Sequence, residues 1–155
     1  QKIPYRKINS LYEIKRLNPF YIVIASRTDK HYGQLKFLEK NFSKKKILVE
    51  KPLFEKVYEL KIKKNKVYIG YNLRFNPLII FIKKILKKID AIFVSAYCGY
   101  YLPYWRKYIP YTKSYSSSKI KGGGVILDLS HEIDYITYIF GKIKIFNFTK
   151  KKLAI

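Results

Sequence analysis

The chain contains one cysteine and no methionine, and only 10 of its 155 residues are acidic. The lone Cys98 can form no internal disulfide and has no companion at metal-ligand spacing, which excludes a disulfide scaffold and a cysteine-based metal centre. No apolar run approaches the roughly 20 residues that span a bilayer, and residues 1–10 lack the apolar stretch of a signal peptide. We therefore expect a cytoplasmic protein that has no metal and no membrane segment.

Because acidic residues are so few, the formal net charge is +23 at pH 7. A charge of this size is typical of proteins that bind nucleic acid. However, the lysines are spread along the whole chain, arginine is scarce, and no DNA- or RNA-binding signature is present. Lysine, isoleucine, tyrosine and asparagine are enriched together, as codons rich in A and T would produce. The composition therefore argues against a nucleic-acid partner and leaves a polyanion-binding surface as the alternative.

Strands and helices alternate in the first half of the sequence. Apolar runs predict buried strands at 20–25 and 46–50 and a further strand at 66–70. Helices are expected near 11–17, from the turn at 26–29 to about 41, and from about 54 to 64. This alternation is typical of βαβ units around a parallel sheet. We assign residues 1–70 to the C-terminal part of a Rossmann-type α/β domain.

The second half has a different character. We expect a loop at 71–77, a helix from 76 or 77 to about 88, a strand at 91–99, a long aperiodic stretch at 100–121, a helix at 125–140 that ends at Gly141, and a strand at 142–149. These elements indicate the start of an α+β substrate-binding domain over residues 71–155. A Rossmann unit begins with a strand that leads into G-x-G-x-x-G, and this sequence has no such motif. The missing loop, the absent methionines and the initial Gln1 predict that the natural start of the gene lies upstream.

Four stretches carry a family resemblance through their order: ASRTDKH (25–31), VEKP (49–52), GYNLRFNP (70–77) and GGGVILDLSHEIDYITYIFG (122–141). Together they resemble the Gfo/Idh/MocA oxidoreductases, which are named for glucose–fructose oxidoreductase and inositol dehydrogenase. The resemblance implies an enzyme that uses NAD or NADP, acts on a sugar or nucleotide-sugar hydroxyl, and forms homo-oligomers when intact. The aromatic YYLPYW segment, the serine-rich stretch and DLSHEIDY are most similar to members associated with bacterial surface-polysaccharide biosynthesis.

Lys51 and His131 are the candidate catalytic pair. Lys51 follows a predicted parallel strand, and ligands of open α/β sheets bind outside the carboxyl ends of the strands. Its ammonium group can stabilise negative charge that develops on a substrate oxygen. Imidazole exchanges protons near neutral pH, and Asp128, His131 and Asp134 are spaced three apart, so we expect them on one helical face. The family more commonly spaces the aspartate and histidine by four, and we therefore rely on His131 more than on Asp128 as a catalytic residue.

By the resemblance, further residues face the cofactor and the substrate. The cofactor site would include Ser26, Thr28, His31, Glu50, Lys51 and Pro52, with a cis bond possible before the proline. Thr28 or Asp29 can alternatively cap the helix that follows. The substrate site would include Asn72, Arg74, Tyr101, Trp105 and Asp128, with aromatic rings suited to a sugar face. The triple glycine lacks the Gly-Lys-Ser/Thr ending of a phosphate-binding loop, so we expect it to let the backbone pass close to substrate and cofactor.

The alternative hypothesis is that the chain is a truncated, non-catalytic remnant that acts at most as a basic, polyanion-binding module. The missing glycine loop and the net charge favour it. Under either hypothesis we expect the 155-residue chain alone to bind nicotinamide cofactor poorly and to be inactive, because pyrophosphate binding depends on the first βα turn of the Rossmann unit.

Overall fold

A computed structural model describes residues 7–105, 107–144, 147 and 149. The helices are α1 (Glu13–Leu17), α2 (Thr28–Asn41), α3 (Pro77–Ile85), α4 (Leu102–Trp105), α5 (Val125–Asp128) and α6 (Ser130–Phe140), and the strands are β1 (Tyr21–Ile24), β2 (Lys46–Val49) and β3 (Lys66–Ile69). Single 3₁₀ turns lie at Asn72–Phe75, Tyr111–Lys113, Tyr115–Ser117 and Lys119–Lys121. None of the described helices is long and apolar enough to cross a membrane.

The described residues form two compact units. Unit 1 holds the residues up to Tyr71 together with Cys98–Ser130, and unit 2 holds Asn72–Tyr97 and the residues from His131 onward. The change of unit at 71–72 lies beside the domain boundary expected at residue 70. Residues 98–130, which we expected with the second domain, pack into unit 1. The division of the whole protein into a cofactor domain and a substrate domain stays a prediction.

Unit 1 is built on a three-stranded parallel sheet in the order β1-β2-β3. Its core consists of apolar side chains from the sheet and from α2, namely Ile24, Leu35, Leu38, Phe42, Ile47 and Val49. The three strands predicted in the first half of the chain and the parallel α/β class are therefore confirmed. The expected burial of β1 on both faces is wrong, because Tyr21 and Val23 are half exposed and no described layer covers that face of the sheet.

The helix expected at 54–64 is not formed. The segment is extended, and its half-buried residues Tyr58, Leu60 and Ile62 alternate with exposed ones. This two-residue period is the period of an extended chain, and Leu60 and Ile62 pack against the core. Tyr58 stacks on Tyr32 of α2 with ring centroids 3.9 Å apart. Its hydroxyl donates to the Glu55 carboxylate, which raises the pKa of Tyr58 to about 12.

Glu39, in the last turn of α2, anchors the end of this extended segment. Its Oε1 accepts the backbone N–H groups of Lys63 and Lys64 at 2.8 and 2.7 Å, and its Oε2 accepts Asn65 Nδ2 at 2.7 Å. Burial alone would raise the pKa of Glu39, but these donors and the nearby Lys64 charge outweigh it and lower the pKa. The ionised carboxylate therefore stabilises the folded state.

We expect Glu39→Gln to lower the free energy of unfolding by about 1–3 kcal/mol near neutral pH, because an amide cannot accept from all three donors. A folded-state pKa below the unfolded one means that the stabilisation is present at neutral pH and is lost as the pH falls through the folded value. The difference between wild type and variant should therefore shrink in acid, below about pH 4. Urea unfolding at several pH values measures this. Glu59→Gln, at an exposed position of the same segment, is the control, and a pH-independent difference would contradict the prediction.

Two further expectations in the second half need correction. Residues 91–99 form no strand: all of them are exposed, and no described strand pairs with them. The helix predicted at 125–140 is two helices, because Leu129 leaves helical geometry (φ −102°, ψ 35°) between α5 and α6. The helix at 77–85 is confirmed, and Asn76 caps it by accepting the N–H of Leu78 at 2.9 Å. The strand expected at 142–149 lies partly outside the described residues, and residues 142–144 show none.

Candidate active site

The carboxyl edge of the sheet brings predicted site residues together in unit 1. Ser26 and Lys51 follow β1 and β2, and these strands are parallel and paired residue for residue. Parallel strands end at the same edge of a sheet, which is where open α/β sheets bind ligands. A hydroxyl and an ammonium group thus lie at the edge that the sequence predicted.

Lys51 connects this edge to the glycine-rich segment. Its Nζ donates to the backbone carbonyl oxygen of Asp128 at 2.5 Å. Asp128 ends α5, where carbonyl groups have no partner within the helix, so the break at Leu129 makes an acceptor available there. The peptide bond between Lys51 and Pro52 is cis, as the sequence analysis allowed. Lys51 and Asp128, which are 77 residues apart in the chain, are therefore in direct contact.

His31 holds the two turns of this edge in place. The side chain is 1% exposed in the first turn of α2. Its Nε2 lies 2.8 Å from the carbonyl oxygen of Ser26, and its Nδ1 lies 3.2 Å from those of both Pro52 and Leu53. Both ring nitrogens face backbone carbonyl oxygens, so the buried His31 side chain lies between the turns that carry Ser26 and Lys51 and positions them. Direct contact with a cofactor stays a prediction.

The turn after β1 makes its own polar contacts. Ser26 Oγ donates to Gln34 Oε1 at 2.7 Å. The expected capping of α2 by Thr28 or Asp29 is wrong: the helix begins after Arg27 without a side-chain cap. Asp29 instead accepts two hydrogen bonds from the Arg27 guanidinium at 2.5 and 2.8 Å, and these lower the pKa of Asp29 to about 2. Thr28 is buried.

Two members of the triple glycine, Gly122 and Gly123, are required by close approaches within unit 1, and Gly124 has a positive φ of +109°. A Cβ on Gly123 would lie 2.1 Å from the carbonyl oxygen of Tyr115 and 2.6 Å from that of Ser116. Gly122 has φ +82°, and a Cβ there would lie 2.6 Å from Thr28 Cβ. The glycines thus let the chain pass beside the turn at 115–117 and beside α2. Approach to substrate and cofactor stays a prediction.

We expect Gly123→Ala to destabilise the protein by about 1–3 kcal/mol or more, because the new methyl group would displace backbone rather than a flexible side chain. The shift would also break the hydrogen bond from Gly124 N to Ser116 O, which is 2.9 Å long. Gly33→Ala is the matched control. Gly33 lies within α2 with nothing within 4 Å of an added Cβ, and alanine there should stabilise by about 0.5–1 kcal/mol. Thermal unfolding compares the two, and equal midpoints would contradict the steric account.

A small cavity lies beside Asp128 in unit 1 and has a volume of about 100 Å³. Asp128 and Trp105, both predicted substrate residues, line it with Tyr100 and Ser116 and with apolar side chains. Ser116 is 2% exposed, and its hydroxyl has no hydrogen-bond partner among the described residues. The other aromatic candidate, Tyr101, is half exposed and does not line this cavity. The cavity thus combines an apolar wall with a buried hydroxyl and a buried carboxylate.

Of the predicted residues not yet placed, Glu50 is exposed directly after β2 in unit 1, and Asn72, Arg74 and His131 belong to unit 2. Arg74 forms a two-point ion pair with Asp134, with nitrogen–oxygen distances of 2.8 and 2.5 Å. Asp134 is buried, and the Arg74 guanidinium also lies over the Tyr138 ring, 5.1 Å from its centroid. The pair joins two motifs that the sequence analysis singled out, GYNLRFNP and the His-x-x-Asp helix. Asn72 is exposed in the 3₁₀ turn at Asn72–Phe75.

His131 is half buried in the first turn of α6. Asp134 lies one turn later on the same helix, as expected. Asp128 belongs to α5, so the three-residue spacing does not place it with His131 on a single helical face. The catalytic roles of His131 and Asp128 stay predictions.

Ser116, Gln34 and the positioning role of His31 are not predictable from the sequence. Ser116 is one of several serines in an aperiodic stretch, and no spacing distinguishes it from its neighbours. The distance of eight residues from Ser26 to Gln34 spans a turn and two turns of helix, which gives no periodic signal. Gln34 is placed by the regular geometry of α2, and Ser116 is placed by the packing of residues 98–130 into unit 1.

No family model and no curated protein matches the sequence. Among solved structures, the chain is similar to the WlbA (WbpB) dehydrogenase from Thermus thermophilus, determined in complex with NAD and alpha-ketoglutarate. The identity is 23%, the TM-score is 0.62, and the match covers 85% of this chain. The chain spans 44% of the length of that structure. This likeness shows the fold, an α/β arrangement that matches part of a Rossmann-type dehydrogenase.

Proposed function

We propose that the intact protein is an NAD(P)-dependent oxidoreductase that acts on a sugar or nucleotide-sugar hydroxyl. The contact between Lys51 Nζ and the carbonyl of Asp128 carries this proposal. It joins two motifs, the glutamate-lysine-proline turn and the glycine-rich aspartate segment, at the edge of the sheet where ligands bind. If the two motifs resembled the family only by chance, their residues would not be expected to be in contact.

The groups at this edge fit the nicotinamide end of such a cofactor. Ser26 and Lys51 supply a hydroxyl and an ammonium group on adjacent strand ends, and His31 holds both turns through their backbone carbonyls. When bound, the nicotinamide accepts or returns the hydride of the substrate carbon. The similarity to a dehydrogenase that binds NAD supports the same cofactor class for this chain.

Lys51 and His131 would manage the proton and the charge on the substrate oxygen. As a hydroxyl carbon loses its hydride, the oxygen loses its proton and becomes a carbonyl. The Lys51 ammonium would stabilise the partial negative charge on that oxygen. The His131 imidazole would take up the proton and return it in the opposite direction.

The surroundings of Asp128 suit the sugar. The cavity lined by Trp105, Ser116 and Asp128 offers an aromatic surface next to polar groups, and its volume of about 100 Å³ would admit part of a sugar rather than a whole nucleotide sugar. By the resemblance, Asn72, Arg74 and Tyr101 would complete the substrate site. We further propose that the intact enzyme is a homo-oligomer with a role in surface-polysaccharide biosynthesis. We also propose a cytoplasmic location, with which the single cysteine is consistent.

The experiment is to assay the intact enzyme with NAD and NADP against a panel of free sugars and nucleotide sugars, following the absorbance of the reduced nicotinamide. We expect turnover with at least one nucleotide sugar or sugar, and none with matched deoxy analogues that lack the reacting hydroxyl. Absence of turnover with every compound, together with absence of cofactor binding, would contradict the proposal and favour the non-catalytic alternative.

A further inference from the structure

A groove lined by lysines lies at the amino-terminal edge of the sheet, opposite the edge that carries Lys51. Six lysines, at positions 44–46, 63, 64 and 66, form it together with Phe20 and Asn65. Its volume is about 370 Å³. Fewer than one in five residues of the chain is lysine, whereas six of the eight lining residues are. The lysine-rich composition alone therefore does not account for this convergence.

The backbone holds the two lysine clusters side by side. Lys44 N donates to Lys64 O at 2.7 Å, Lys66 N donates to Lys45 O at 2.8 Å, and Lys45 N donates to Asn65 Oδ1 at 3.0 Å. Lys46 and Lys66 are direct register partners in the parallel pairing of β2 and β3. Lys46 and Lys66 thus stand on paired strands, and the lysines of the two preceding loops are held together by backbone hydrogen bonds.

These charges have no compensating carboxylate in the groove. Lys45 Nζ donates to Asn18 Oδ1 at 2.7 Å, and Lys64 Nζ donates to a backbone carbonyl at 3.4 Å, both of which are neutral acceptors. Within the described part of the chain, none of the six lysines forms an ion pair. The buried carboxylate of Glu39 does not line the groove; it accepts from the N–H groups of Lys63 and Lys64, and the Lys64 charge contributes to its lowered pKa. Like charges on adjacent strands are destabilising, and a bound anion would remove that cost.

We propose that this groove binds a compact anion that carries several phosphate charges, such as an inorganic oligophosphate or the phosphate chain of a nucleotide. The volume lies in the range of small-ligand sites, which favours a compact anion over an extended nucleic-acid backbone. Lysines act on phosphate as point charges and need no fixed fork geometry. The Phe20 ring is 63% exposed beside Lys46, whose Nζ lies 5.4 Å from the ring centroid, and it offers a surface for a base.

The test is titration calorimetry of the 155-residue chain with inorganic tripolyphosphate at low ionic strength. The variant Lys46→Gln/Lys66→Gln removes the paired charges from the groove. The variant Lys87→Gln/Lys88→Gln removes the same net charge at exposed positions after α3 that do not line it. We expect the groove variant to weaken binding by about fivefold or more and the control variant by less than about twofold. Equal weakening in both would show attraction by diffuse net charge alone and would overturn the proposal.

Further measurements identify the source of the phosphate and protect the result against misfolding. If ATP binds more tightly than tripolyphosphate and Phe20→Ala removes this difference, the natural ligand is a nucleotide. If the two compounds bind equally, the natural ligand is a free oligophosphate. Tighter binding of a single-stranded oligonucleotide than of either would overturn the compact-anion proposal.

The groove variant should unfold at an unchanged or higher temperature, because it removes a like-charge pair. If the groove variant unfolds at a lower temperature than wild type, the variant Lys44→Gln/Lys63→Gln is used instead. It should weaken tripolyphosphate binding to the same extent, and unchanged binding would count against the site.

Discussion

Replacing Lys51 with methionine is expected to lower kcat of the intact enzyme by about 10²–10⁴-fold. Methionine keeps the length and the apolar stem of lysine but removes the ammonium group that would stabilise charge on the substrate oxygen. The loss should appear in kcat more than in KM, because the interaction strengthens as the oxygen gains charge. Steady-state kinetics with the substrate found in the panel assay measures both constants.

The control must separate this role from the structural contact of Lys51 with the Asp128 carbonyl. Lys61→Met, at an exposed position of the extended segment, removes an equivalent charge and should change kcat less than about twofold. Lys51→Arg retains a donor for the carbonyl and should preserve the unfolding temperature, whereas activity should stay low because the planar, delocalised guanidinium cannot replace the compact ammonium charge at the substrate oxygen. If Lys51→Met unfolds as wild type does and keeps full activity, Lys51 has no part in the chemistry.

The sequence predicted the parallel sheet because each strand is a short apolar run between turn residues. Ile47 and Val49 of β2 are fully buried at the centre of the sheet, so their apolar character reports their environment directly. α2 was predictable for a similar reason, since Leu35 and Leu38 follow helical spacing and face the core. Local pattern and tertiary environment agree at these positions.

The prediction failed where contacts distant in sequence decide the conformation. The segment at 54–64 was assigned to a helix by its length and position, although Tyr58, Leu60 and Ile62 already alternate with polar residues. What holds it extended is the stacking of Tyr58 on Tyr32 and the acceptance of the N–H groups of Lys63 and Lys64 by Glu39. Neither contact is visible from local periodicity.

The candidate site shows the same limit. Motif order identified Lys51 and Asp128, but their contact uses a backbone carbonyl, and any residue at position 128 would supply one. The break at Leu129, which leaves that carbonyl at a helix end, follows a run of residues with no helix-breaking signal. The sequence therefore identified both residues as site candidates without predicting their contact, which only the structure shows.

Replacing His131 with alanine is expected to lower kcat of the intact enzyme by about a hundredfold or more, since general acid–base catalysis contributes about 10²–10⁴. The imidazole is proposed to exchange the proton of the substrate hydroxyl. Its loss should also remove one limb of the dependence of kcat/KM on pH, because that limb reports the titration of an essential base. Added imidazole should restore part of the activity by entering the space left by the side chain, whereas a purely structural defect would not respond to it.

Glu132→Gln is the matched control, because it changes a titratable side chain next to His131 in the same turn of α6. We expect it to retain most of the activity and both limbs of the pH profile. Asp134→Asn tests a different role: it weakens the ion pair with Arg74, so it should destabilise unit 2 without adding a response to imidazole. Full activity and an unchanged pH profile in His131→Ala would remove the histidine from the mechanism. Proton exchange would then have to be assigned to Lys51 or Asp128, the two remaining catalytic candidates.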